Sequence, residues 1–118
     1  MSLSLEDKTT VCSQAALEKK AIDPVILDLR GISDITDFFF ICSATSLPHL
    51  QAIADNIQEH LEMKSVVCLG REGFTAAKWV LLDYGDLVVH IFHQEMREFY
   101  DLERLWGGAP HISLVSNY

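Results

Sequence analysis

The chain has 118 residues, 49% hydrophobic and 22% charged, which is enough apolar material for one domain with an ordinary core and argues against disorder. Its 9 Lys and Arg residues against 17 Asp and Glu residues give a net charge of −8. This charge disfavours direct binding to nucleic-acid phosphates, which needs many cations, and suits a basic protein partner.

The cysteine pattern, the N-terminus and the apolar runs exclude further classes of protein. Cys12, Cys42 and Cys68 form neither a C-x-x-C pair nor a zinc-like cluster, so we expect reduced thiols and no metal site. The glycine-containing segments lack the P-loop and dinucleotide-binding patterns, and we expect no cofactor. The N-terminus lacks the basic and apolar regions of a signal peptide, and the apolar runs are too short or too interrupted to cross a membrane. We therefore expect one cytoplasmic domain over residues 1–118.

The first half of the chain predicts a helix, two strands and a second helix. Ser4 is a suitable N-cap for a helix that runs to about Lys20. Strands are predicted at 25–29 and 38–42, and the second is an uninterrupted apolar run typical of a central strand. Apolar residues at three- and four-residue spacing predict a second helix over about 46–61. Its N-cap is expected to be Thr45 or Ser46.

The second half predicts three more strands and a last helix. We expect a short strand at 66–69, a polar loop at 70–78, paired strands at 79–83 and 87–92, and a helix at 94–105. The order αββαβββα predicts an α/β fold in which helices pack against a sheet.

The predicted hairpin is the most informative part of the sequence. We expect Tyr84 and Gly85 to form its loop, which places Asp83 opposite Asp86. Because side chains alternate along a strand, one face of the hairpin is wholly apolar and belongs to the core. The other face is mixed and carries Trp79, Leu81, Asp83, Asp86, Val88 and His90.

The mixed face has two interpretations at this point. It is either a half-covered sheet face with Trp79 packed beneath a helix, or an interaction patch in which an aromatic anchor and acids meet a basic partner. A cation between Asp83 and Asp86, either a metal or a partner's Lys or Arg, would relieve their repulsion. Catalysis has little support, since no Asp-x-Asp pair occurs on a strand and Cys42 in an apolar run is typical of a core residue.

Several segments, in order, resemble the Iojap-like ribosomal silencing factors. They are VILDLRG at 25–31, ITDFF at 35–39, ICSATS at 41–46, WVLLDYGD at 79–86 and REFYDLERLW at 97–106. The resemblance covers about residues 5–106 and leaves 107–118 as a C-terminal tail. Two positions depart from the family pattern, Ala44 for Gly and Pro48 for Arg, so we assign no contact to the neighbouring Ser46 and His49.

The resemblance implies both a fold and a function. The fold would be a single mixed sheet related to the nucleotidyltransferase fold but without its catalytic carboxylates, in a protein that is not an enzyme. The function would be to bind the basic fourteenth protein of the large ribosomal subunit, block subunit association and repress translation when nutrients are limiting. The residues expected to bind that partner are Trp79, Leu81, Asp83, Asp86 and His90.

Two alternatives remain at this stage. The first is a metal-dependent, nucleotidyltransferase-like enzyme with its metal at Asp83 and Asp86. The second, compatible with ribosome binding, is a homodimer that uses the same patch for self-association.

Overall fold

A single mixed sheet organises the chain in the computed structural model, which describes residues 3–74, 78–100 and 109–112. The elements are α1 (Leu5–Glu18), β1 (Ile22–Asp28), β2 (Phe38–Ala44), α2 (Leu47–Met63), β3 (Gly70–Phe74), β4 (Trp79–Asp83), β5 (Leu87–His93), α3 (Gln94–Tyr100) and β6 (His111–Ile112). The strand order is β3-β4-β5-β2-β1-β6. Strands β2 and β5 are parallel and the other neighbours are antiparallel, which confirms the predicted α/β class.

The two long helices begin at serine caps. The Ser4 hydroxyl accepts a hydrogen bond from the Asp7 N–H at 3.1 Å, and the Ser46 hydroxyl accepts one from the His49 N–H at 3.2 Å. Pro48 lies in the first turn of α2, where its missing N–H removes no helical hydrogen bond. Across the described part of the chain, no helix has the length and apolar character needed to span a membrane.

Helices α1 and α2 pack on one face of the sheet and form the larger core with it. Cys12 of α1 and Ile53 of α2 are fully buried there, and so is Phe40 of the central strand β2. The apolar face predicted for the hairpin lies beneath these helices and comprises Val80, Leu82, Leu87, Val89 and Ile91. The alternation predicted for both strands is therefore confirmed.

The opposite face of the sheet carries a smaller core. Leu27, Ile41 and Phe92 are buried there, and Trp79 and Met96 are partly buried against them. Much of this second face thus lies away from the two long helices.

The prediction for the third strand was wrong. Val66 to Leu69 form no strand, and β3 is the segment from Gly70 to Phe74 that had been assigned to a loop. Backbone pairing with β4 defines β3, and as an edge strand it tolerates polar side chains. The predicted last helix is confirmed from Gln94 to Tyr100, while its continuation to residue 105 lies outside the described residues.

The hairpin register differs from the prediction by two residues. The Tyr84 N–H donates to the Leu87 carbonyl at 2.9 Å, so the loop is Gly85–Asp86. Gly85 has a φ of +85°, which suits glycine at the first central position of a two-residue hairpin turn. Asp83 consequently lies opposite Val88. An even shift keeps every strand residue on its predicted face.

Asp86 is the exception, and its predicted place opposite Asp83 was wrong. Both of its carboxylate oxygens lie 3.1 Å from the Lys8 ammonium of α1, which packs on the helical side of the sheet. Asp86 therefore sits in the turn and pairs with the helix layer instead of joining Asp83 and Trp79.

Candidate functional site

A concavity of about 300 Å³ opens on the sheet face that α1 and α2 leave uncovered. We call it the sheet-face groove. Its lining residues come from β2 to β5 and from the loop before β2: Ile35, Phe39, Gly70, Glu72, Leu81, Asp83, Val88 and His90. Three of the predicted site residues, Leu81, Asp83 and His90, thus meet in one groove, and Trp79 adjoins it through His90.

Trp79 is held against the sheet by two aromatic neighbours. Its ring stacks on Phe92 with centroids 5.0 Å apart, and the His90 ring lies 5.8 Å away. The indole N–H donates to His90 Nδ1 at 3.2 Å. Trp79 is only partly buried, so some of its surface is exposed beside the groove.

His90 is the buried polar group of the groove, with 4% of its surface exposed. The rings of His90 and Phe39 meet edge to face, with their centroids 4.5 Å apart. Burial lowers the pKa of His90 from 6.5 to about 4, so the ring is neutral near pH 7. Its Nε2 atom has no hydrogen-bond partner among the described residues.

Two carboxylates accompany the apolar surface of the groove. Asp83 Oδ1 accepts the Gly85 N–H at 2.8 Å, and Glu72 is exposed on β3 directly opposite Leu81. Neither carboxylate forms an ion pair with another described residue. Ile35 adds an aliphatic side chain that is 81% exposed. The groove therefore combines exposed apolar surface with uncompensated negative charge.

Sequence analysis missed Glu72 and Ile35 as parts of this site. Glu72 lay in a segment predicted as a loop, and no pattern in the sequence indicated where Ile35 would come to lie. The segment Gly-Arg-Glu-Gly at 70–73 gave no signal for β3, because it lacks the apolar residues that usually mark a strand.

The cysteines occupy the core, as their apolar context indicated. Cys12 and Cys42 are fully buried, and burial raises the pKa of Cys42 to about 12 and that of Cys12 well above its usual value. His49 accepts a hydrogen bond from the Thr45 N–H at Nδ1, at 2.9 Å, and donates one from Nε2 to the Lys19 carbonyl at 2.6 Å. It ties α2 to the end of α1.

Among the residues that the structure describes, the carboxylates do not converge as a two-metal site would require. Asp28 is held by the Arg30 guanidinium at 2.8 and 2.9 Å, which lowers the pKa of this carboxyl, and Asp86 is held by Lys8. Within residues 3–74, 78–100 and 109–112, no three His, Cys, Asp or Glu side chains are placed to bind one ion. The metal-dependent alternative placed its metal between Asp83 and Asp86, and the structure separates these two residues.

Solved structures place this fold in a known structural class. A Chromobacterium violaceum protein of known crystal structure superposes with a TM-score of 0.85 and 27% identity, over 98% of this chain and 95% of that one. The chain is thus an α/β domain built like this bacterial protein, with one mixed sheet and helices packed on it.

Sequence comparison identifies the family. The family described as "Ribosomal silencing factor during starvation" matches residues 2–117. The chain is 43% identical over 104 residues to the ribosomal silencing factor RsfS of Bacillus subtilis, covering 88% of each protein. It is 34% identical over 92 residues to a mouse protein named for mitochondrial assembly of the ribosomal large subunit, covering 75% of this chain and 40% of that protein. This chain belongs to the ribosomal silencing factor family.

Proposed function

We propose that the chain binds the large ribosomal subunit through the sheet-face groove and Trp79, and so blocks association with the small subunit. The contact would be a basic protein of the large subunit, the fourteenth by the family resemblance. The chain would act in the cytoplasm, without catalysis, and repress translation when nutrients are limiting. The family is defined by ribosome silencing and not by a reaction, which supports this mode of action.

One observation carries the proposal: on the sheet face that α1 and α2 leave uncovered, the groove joins apolar surface to carboxylates that form no ion pair with other described residues. Apolar surface at the centre and charge at the rim are the usual composition of a protein-binding site. The net charge of −8 would speed the approach of a basic partner. The mouse relative's name supports the choice of the large subunit.

The site residues have different proposed roles. Trp79 and Leu81 supply apolar contact, and Asp83 pairs with a Lys or Arg of the partner. Since Lys8 already holds Asp86 on the helical side, Asp86 enters the proposal by supporting the hairpin turn. His90 lines the groove beside these groups.

Co-sedimentation with purified large and small subunits tests the proposal. The wild-type protein should sediment with large subunits and reduce their joining to small subunits. Trp79→Ala should weaken binding by about 2 kcal/mol, roughly thirtyfold, as expected for an aromatic hot spot. Met63→Ala is the control, because Met63 is 71% exposed at the end of α2. Equal binding by folded Trp79→Ala and wild type would show that this face is not the interface.

A charge variant separates attraction from apolar contact. Asp83→Asn should weaken binding mainly at low salt, because exposed charge pairs are screened. Glu59→Gln makes the same change in charge on an exposed position of α2 and should leave binding unaltered. Equal losses in both variants would mean that only the net charge matters.

A further inference from the structure

His90 has a buried N–H group that the proposed function leaves unused. An indole nitrogen can only donate a hydrogen bond, so His90 Nδ1 must accept the 3.2 Å bond from Trp79. The proton of the neutral imidazole is therefore on Nε2. This atom is inaccessible to solvent and has no acceptor within the described part of the chain.

The imidazole is also fixed in orientation. Phe39 meets it edge to face at 4.5 Å, and Phe92 lies parallel to it at 6.2 Å with an interplanar angle of 9°. A ring flip would break the bond from Trp79 within this aromatic cluster. The residue therefore presents one donor in one direction.

An unsatisfied buried donor is unusual and unfavourable. More than nine in ten buried polar groups have a partner, because a donor buried without an acceptor has lost its hydrogen bonds to water. His90 lines a groove of about 300 Å³, which has room for atoms of another chain. An acceptor supplied on binding would remove this penalty; because Nε2 is covered in the free chain, the side chains around the groove must shift to admit it.

The surroundings of His90 select the kind of acceptor. The carboxylates of Asp83 and Glu72 line the same groove, so an anionic acceptor would be repelled. Phe39 and Val88 supply apolar walls suited to a peptide segment. A neutral oxygen next to cationic side chains fits both features.

We propose that His90 Nε2–H donates to a carbonyl oxygen of the basic protein bound in the groove, and that Trp79 is the positioning residue that sets this tautomer. The inference rests on the proposed function and adds a directional contact to it. The lowered pKa of His90 supports it, because the ring keeps the same donor and acceptor throughout the physiological range.

Nitrogen-15 NMR of the free protein tests the positioning role. Wild type should show one His90 tautomer, protonated on Nε2. Trp79→Phe keeps an aromatic ring beside Phe92 but loses the N–H, so the Nδ1-protonated form should become populated. Nδ1 protonation in wild type, or an unchanged spectrum in Trp79→Phe, would overturn that role.

Binding to large subunits tests the contact itself. His90→Phe fills the same space without a donor and should lower affinity about tenfold, the size of one hydrogen bond near 1.4 kcal/mol. His90→Gln retains an N–H donor and should recover part of the loss. It also serves as the second variant if His90→Phe does not fold.

The outcomes separate the two proposals. If wild type binds and both His90 variants bind equally well, the His90 contact is refuted and the proposed function stands. If wild type sediments with neither subunit, the proposed function fails and the contact fails with it. Weak binding by His90→Phe with recovery in His90→Gln would support both.

Discussion

Burial of His90 should make the stability of the protein depend on pH. The folded state lowers the pKa of His90 from 6.5 to about 4, whereas the unfolded chain takes up the proton near 6.5. Acid therefore favours the unfolded state, and stability is lost as pH falls from 6.5 towards 4. One pKa unit is about 1.4 kcal/mol, so the full loss is roughly 3 kcal/mol, of which about 2 kcal/mol is reached near pH 5.

Urea unfolding followed by tryptophan fluorescence measures this effect. Wild type and His90→Gln are compared at about pH 7.5, 6 and 5, so that groups shared by both proteins cancel in the difference. Their free energies of unfolding should converge towards acid, because only wild type has this titrating ring. A constant difference between their free energies of unfolding across this pH range would refute the reasoning. An equal loss of stability in wild type and His90→Gln would refute it too.

Three further predictions concern stability and reactivity. Gly85→Ala should destabilise the protein by about 1 kcal/mol in urea unfolding, because alanine is strained at the observed φ of +85°; an unchanged midpoint would contradict the turn geometry. Lys8→Met should cost about 1 kcal/mol at low salt and less at high salt, since it removes the part-buried pair with Asp86; a loss that salt does not alter would argue against an ionic contribution. In thiol titration with a disulfide reagent, Cys12 and Cys42 should react only after unfolding, because both thiols are fully buried and have raised pKa values; rapid labelling of three thiols in the native protein would contradict their burial.

The faces of the hairpin could be predicted from sequence, whereas its register could not. Period-two alternation places Trp79 and Leu81 on the same side as Val88 and His90 for any even-numbered loop. The loop could be Tyr84–Gly85 or Gly85–Asp86. The choice depends on which of these pairs places Gly85 at the turn position with positive φ. Trp79 lies opposite Phe92, yet its indole reaches His90 along the diagonal of the sheet.

The groove could not be predicted in full because one wall is an edge strand. Strand β3 is defined by its backbone hydrogen bonds to β4. Its exposed Arg71 and Glu72 give no apolar pattern that would mark it as a strand. The pairing of Asp86 with Lys8 was equally hidden, since it joins residues 78 positions apart. Contacts of this kind depend on how the layers stack, which local sequence does not encode.

The parallel pairing of β2 with β5 has a consequence for synthesis of the chain. Phe38 pairs with Leu87, so the sheet closes only after a long intervening segment has been made. Such distant pairings form slowly and late, because the intervening loop must close before the contacts that stabilise it can form. Val88 and His90 belong to β5, so the groove is incomplete until that strand has left the exit tunnel. Since β5 ends at His93, the proposed binding surface forms only after most of the chain has been made.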